Sequence, residues 1–342
     1  MEYNLFDALT LIGSLGLFLF GMKLMSEALQ KVAGDKMRSI LSAMTSRRFM
    51  GVVTGFLITA IIQSSSATTV MIVSFVNAGL LSLIQSIGVI MGANIGTTVT
   101  AWLISILGFK IQISVIAIPL IGLSFPLMFS KNNKRRSWGE FVIGFAILFL
   151  GLEYLKSSVP DLKSNPELLE FVTNYTKSGG WSVLLFLGLG TLLTIIIQSS
   201  SATMALTLVM TFNGWIGFDL AAAMVLGENI GTTITANLAA LVANISAKRA
   251  ALAHFIFNTF GVIWVLLIFG FFLDKITWFV ENIHGASPAN DAAIVPIALA
   301  IFHTSFNITN TFILFWFAPF IKRIVEFLIP QSEDDEEEFR LQ

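Results

Sequence analysis

Two seven-residue stretches concentrate hydrogen-bonding side chains inside apolar sequence: Gln63-Ser64-Ser65-Ser66-Ala67-Thr68-Thr69 and Gln198-Ser199-Ser200-Ser201-Ala202-Thr203-Met204. The first follows Gly55–Ile62 and the second follows Thr191–Ile197, both rich in isoleucine and leucine. Polar groups in such surroundings are costly unless partners satisfy them. Serine is also a favoured helix N-cap, and the free N–H groups and dipole of a helix start attract anions. Ser64, Ser65, Ser66, Ser199, Ser200 and Ser201 are therefore candidate donors to a tetrahedral oxyanion. Neither stretch holds a cationic side chain, so dipoles, hydroxyls and bound cations would have to hold the anion. The competing reading is that the serines join helices, as small polar residues do in membranes.

A second pair of segments offers oxygen ligands. Gly92-Ala93-Asn94-Ile95-Gly96-Thr97-Thr98 and Gly227-Glu228-Asn229-Ile230-Gly231-Thr232-Thr233 interrupt otherwise apolar spans. Glycines around polar residues predict local unwinding, which exposes carbonyl oxygens to a small hard cation such as Na⁺. Asn94, Thr97, Thr98, Asn229, Thr232 and Thr233 are the candidate side-chain ligands, with Gln63 and Gln198 placed to bridge the anion and cation sites. A glycine kink satisfied by neighbouring helices is the alternative. Glu228 is the one carboxylate in these motifs, where the first copy has Ala93. An intramembrane carboxylate is a functional candidate, as a Na⁺ ligand or proton carrier, or else a structural partner. His254 with Asn258 and His303 with Asn307 recur at i, i+4 and read as helix-packing hydrogen bonders.

The elements that must position these groups are membrane helices. Of 342 residues, 55% are hydrophobic and 12% charged, and mean hydropathy is +0.82; soluble domains carry roughly 25% charged residues. A net charge of −1 excludes nucleic-acid binding driven by a basic surface, and zero cysteines exclude disulfides and thiolate chemistry. The motif pairs share one spacing, since 198 − 63 = 135 and 227 − 92 = 135, the mark of an internal duplication of the kind found in secondary transporters. The pieces Met50–Ile62 and Ala67–Leu80 are each too short for a hydrocarbon core of roughly 30 Å. Read as re-entrant hairpins, they put Lys31–Arg48, Lys131–Arg136, Lys248-Arg249 and Lys322-Arg323 on one side, the cytoplasm by the positive-inside rule.

The resulting expectation is an all-α polytopic membrane protein with two inverted repeats. Residues 1–137 form the first, with a hairpin at 50–80 and a broken helix at 84–107. Residues 138–272 form the second, with a hairpin at 181–213 and a broken helix at 218–243. A C-terminal transmembrane helix at 273–329, with its apolar part at 292–320, and an acidic cytoplasmic tail at 330–342 follow. The first span, Leu5–Leu24, is a retained helix that leads into a polar amphipathic stretch, Ser26–Arg48.

At these motifs the chain resembles the type II sodium-dependent phosphate cotransporter family. Both copies of Gln-Ser-Ser-Ser-Ala-Thr and of Gly-x-Asn-Ile-Gly-Thr-Thr are present, and His254-Phe255-Ile256-Phe257-Asn258 is similar to the family's His-x-x-Phe-Asn element. The resemblance covers residues 5 to 320. It implies inorganic phosphate as substrate, Na⁺ as coupling ion with no other cofactor, and alternating access of elevator type. It further implies a multi-pass protein of the bacterial cytoplasmic membrane with an external N-terminus, a homodimer, and a PhoU-like domain after the acidic run. Two departures bear on the Na⁺:phosphate ratio. Ile116–Leu120 stands where vertebrate members have a second His-x-x-Phe-Asn element, and Glu228 replaces an uncharged residue. Another oxyanion, arsenate or sulfate, is the nearest alternative substrate. An intramembrane serine hydrolase is disfavoured by the missing Gly-x-Ser-x-Gly elbow and by the duplicated serine clusters.

Overall fold

The computed structural model describes residues 4–44, 48–159, 174–176 and 179–330; the polar loop at Pro160 and Pro166 and the acidic run 333–338 lie outside the described residues. In chain order the helices are α1 (Leu5–Met44), α2 (Arg48–Ile62), α3 (Ser65–Asn77), α4 (Leu83–Leu103), α5 (Ser114–Ser124) and α6 (Asn133–Ser158). They continue as α7 (Gly180–Ile197), α8 (Ser200–Phe212), α9 (Phe218–Gly231), α10 (Thr233–Ala240), α11 (Ile245–Leu267), α12 (Phe269–His284) and α13 (Val295–Leu328). Among the described residues there is no strand, and five helices are long and apolar enough to cross a bilayer. The chain is an all-α polytopic membrane protein.

Both serine stretches fold into the turn between two antiparallel-reading arms, α2/α3 and α7/α8. Gln63 and Gln198 end the first arms in the left-handed region, with φ of 57° and 55°. Ser64 and Ser199 then stand extended (φ −149°, ψ 103° and φ −147°, ψ 105°), and each hydroxyl accepts from the N–H three residues on, at Ala67 and Ala202. One chemistry thus produces one turn twice. The arms differ in length. α7 has 18 residues and counts among the five long apolar helices, whereas α2 has 15.

The unwinding expected at Gly92–Thr98 does not occur. α4 runs unbroken through the motif before passing into a π-helical turn, Ile104–Lys110. Its glycines serve close packing instead. A Cβ on Gly92 would collide with Val52 O and lie 2.8 Å from Phe56 N, while one on Gly55 would collide with Val89 O. The second half repeats this contact by contact: a Cβ on Gly227 would collide with Leu187 O and lie 2.7 Å from Thr191 N, and one on Gly190 would collide with Met224 O. Small residues let helix backbones approach to this distance. The motif's polar side chains bond back within their own helix, as Asn94 Nδ2 does to Ile90 O (2.9 Å) and Thr98 Oγ1 to Ile95 O (2.7 Å). No unwinding is needed to satisfy them. In the second half the helix breaks only at Thr232, between α9 and α10.

Three further differences from the sequence expectations concern element bounds. α1 does not stop near Leu24 but continues to Met44. A separate helix, α12, follows a non-helical Ile268 (φ −120°, ψ 24°), and its Asp274, Lys275 and Glu281 alternate with exposed Phe271, Trp278 and Phe279. α13 is helical across the expected last span and carries buried His303, Asn307 and Asn310, and it is not among the five long apolar helices.

Candidate functional site

The two turns face one cavity of about 370 Å³, lined by Gln63–Ala67 and by Gln198–Ser201. The N-termini of α3 and α8 therefore open onto a common space. The leading N–H groups of a helix have no partner within it, so Ser65, Ser66, Ser200 and Ser201 present backbone donors as well as hydroxyls. Two positive helix ends converging on hydroxyls form a polar receptor for an anion.

Behind the second turn lies a cavity of about 10 Å³, lined by Asn94, Thr97, Thr100, Ser200, Ser201, Glu228, Asn229, Thr232 and His303, among others. That is room for about one water-sized particle. Glu228 is buried at 2% exposure and accepts a hydrogen bond from Thr207 Oγ1 at 3.0 Å. It makes no ion pair among the described residues. Asn229 Nδ2 donates to Val225 O (2.7 Å), as Asn94 does one repeat earlier, which leaves both side-chain oxygens as acceptors. Thr232 Oγ1 and His303 Nδ1 are buried with no hydrogen-bond partner among the described residues. A carboxylate, amide oxygens and hydroxyls suit a hard cation. A buried carboxylate without a counter-charge costs several kcal/mol, and a cation here would offset that cost. The described residues contain no cluster of three or more His, Cys, Asp or Glu of the sort a transition metal needs.

Of the candidate ligands named from the sequence, all but Thr98 and Thr233 line one or both of these cavities. Gln63 and Gln198 line only the larger one. Gln63 is held there, with Thr100 Oγ1 donating to its Oε1 (3.0 Å) and its own Nε2 donating to Ala60 O. Thr98 and Thr233 lie outside the smaller lining, and each hydroxyl donates to the carbonyl three residues back, Ile95 O and Ile230 O. Conversely, Thr100 and His303 line the cation-sized cavity, although the sequence marks His303 as a helix-packing residue and Thr100 not at all. The larger cavity also contains a cation, Lys23 of α1, together with Glu27 and Gln30. Its 40-residue separation from Gln63 hid it in the sequence, where it reads as a flanking charge.

A family model described as Na⁺/Pi-cotransporter matches residues 17–157 and 166–286. The chain is 33% identical over 316 residues to the uncharacterized protein YqeW of Bacillus subtilis strain 168, covering 92% of this chain and 95% of YqeW. It is 28% identical over 258 residues to YjbB of Escherichia coli K12, named as an inorganic phosphate exporter, covering 75% of this chain and 46% of YjbB. Against the rat sodium-dependent phosphate transport protein 2A the identity is 41% over 101 residues, or 28% of this chain and 16% of that one. The chain thus spans nearly all of YqeW but less than half of the two relatives named for phosphate. No solved structure matches it. The family description and the two relatives named for phosphate describe transport, which removes the serine-hydrolase alternative: this protein is not an enzyme. With paired serine turns on one cavity and a family match over most of its length, the chain belongs to the Na⁺/Pi-cotransporter family.

Proposed function

We propose that this protein carries inorganic phosphate across the cytoplasmic membrane of a bacterium by Na⁺-coupled symport. Phosphate sits between the two serine turns, on Ser64, Ser65, Ser66, Ser199, Ser200 and Ser201. Na⁺ occupies the smaller cavity on Glu228, Asn229, Thr232, Asn94 and Thr97. The observation that carries the reading is that Ser200 and Ser201 line both cavities. An anion and a cation would be separated by one layer of hydroxyls, and each would lower the electrostatic cost of the other. The small cavity favours Na⁺ over larger monovalent ions. In this reading residues 1–137 and 138–272 are inverted repeats whose hairpins enter from opposite faces, and the site passes between the two sides by an elevator movement. The C-terminus is cytoplasmic.

The similarity to YjbB supports a second reading, phosphate export. Both are tested by radiolabelled phosphate flux in proteoliposomes holding the purified chain. Symport predicts accumulation under an inward Na⁺ gradient, reversal when the gradient is reversed, and no accumulation with K⁺. Flux indifferent to Na⁺ overturns the coupling, and flux in one direction under either gradient favours export. Arsenate and sulfate as competitors identify the anion.

A further inference from the structure

The larger cavity has a third wall. Leu19, Met22, Lys23, Ser26, Glu27 and Gln30 line it from α1, spaced by threes and fours so that they share one helix face. One hydrogen bond fixes that face against the first turn, and a second, within α1, braces it. Ser26 Oγ donates to Ile62 O at 2.6 Å, immediately before Gln63, and Gln30 Nε2 donates to Ser26 Oγ at 3.2 Å. Lys23 and Glu27 are the charged side chains in this lining. Lys23 Nζ lies 3.8 Å from Glu27 Oε1, and both remain largely exposed, at 72% and 49%. The pair is long, and lysine precedes glutamate, the weaker order along a helix. Its ammonium is not committed to its carboxylate.

An uncompensated lysine in an anion cavity would hold a multiply charged oxyanion well and release it slowly. A carboxylate one turn away repels the anion and competes for the lysine. The two groups therefore act in opposite senses on the same ligand. We propose that Lys23 and Glu27 form a charge-exchange pair that captures and releases the transported anion. The Lys23 ammonium leaves Glu27 for the oxyanion at the serine turns, and Glu27 takes it back as the anion departs. No proton moves in this exchange. The proposal rests on the anion site assigned above.

The test is equilibrium binding of radiolabelled phosphate to the purified full-length chain at saturating Na⁺, at low and high ionic strength set with choline chloride. Arsenate and sulfate are run alongside. Lys23→Met keeps the length of the side chain and is expected to weaken binding roughly tenfold, the contribution of about one charge-assisted hydrogen bond, and to flatten the salt dependence. Lys23→Arg should recover most of the affinity. Glu27→Gln should tighten binding roughly threefold, an exposed-pair magnitude, and slow turnover in proteoliposomes. Opposite shifts at neighbouring positions are not what general damage to α1 would give. Lys23→Met within twofold of wild type, or both substitutions shifting affinity the same way, overturns the proposal while leaving the anion site standing. A wild-type chain that binds none of the three anions overturns both.

Discussion

Gln63 and Gln198 end equivalent helices with φ of 57° and 55°, but their surroundings differ. Gln63 is buried and held by Thr100, whereas Gln198 is exposed, and Thr235, the counterpart of Thr100, bonds to Thr232 O instead. The cation-sized cavity shows the reverse bias. Glu228 and its donor Thr207 belong to the second half, and their counterparts 135 residues earlier are the apolar Ala93 and Ile72. The first half supplies a fastened turn and the second supplies the charge. The two halves share one turn geometry and one glycine contact, while the side chains that would meet ions are divided unequally between them. Backbone symmetry is consequently a poor guide to ligand symmetry here.

The largest expected effect comes from removing the unequal charge. Glu228→Gln keeps the shape and the Thr207 bond but discards the only carboxylate that lines the smaller cavity among the described residues. Losing one partner of a buried charge pair costs about 3 kcal/mol or more, so apparent Na⁺ affinity should fall roughly a hundredfold or more. Anion binding at saturating Na⁺ should survive. A Glu228→Ala/Ala93→Glu double variant should not restore coupling, because Ala93 is fully buried and absent from the lining of the cavity. Restored Na⁺ dependence in that variant would mean that the halves are interchangeable after all.

Where the halves are alike, matched substitutions should have matched costs. Gly92→Leu and Gly227→Leu each drive a side chain into the backbone of the facing helix, at Val52 O and at Leu187 O. Overpacking of side chains costs about 1–3 kcal/mol; a rigid backbone neighbour should put both variants at about 3 kcal/mol or above. Thermal unfolding in detergent should show large and similar losses. Tolerance at one position and collapse at the other would show that the α2–α4 and α7–α9 pairs are not equivalent supports.

Much of this was legible in the sequence because its physics is local. Helical membrane character follows from composition, and the serine turns follow from N-cap chemistry repeated at one offset. Glu228 stands out because it is a carboxylate in apolar sequence. Three things were not legible, each for a tertiary reason. Glycine next to asparagine and threonine reads equally as unwinding or as close packing, and only the facing backbone at Val52 and Leu187 decides for packing. Thr98 and Thr233 carry suitable oxygens, but neither lines the smaller cavity. Lys23 and His303 reach the site from helices outside the paired serine and glycine motifs, and Thr100 lies on α4 two residues past the end of its motif. The side chains that complete a cavity need share no pattern with those that found it.

The smallest expected effects separate the fastened turn from the charged one. Thr207→Val removes the donor to Glu228 and should lower Na⁺ affinity roughly fivefold, about 1 kcal/mol for one net hydrogen bond, leaving the turns unchanged. Thr100→Val removes the donor to Gln63 and should cost a similar amount as stability. Its distinctive consequence is mobility. A turn whose glutamine is held by a side-chain hydrogen bond opens less readily than one whose glutamine is exposed, so amide exchange in the native protein should be slower at residues 64–67 than at 199–202. Thr100→Val should erase that difference by raising exchange at the first turn, while exchange at the second stays as it was. Equal exchange at the two turns in the native protein would show that the Thr100–Gln63 bond does not restrain the first turn, and the contrast between the halves would then reduce to Glu228 alone.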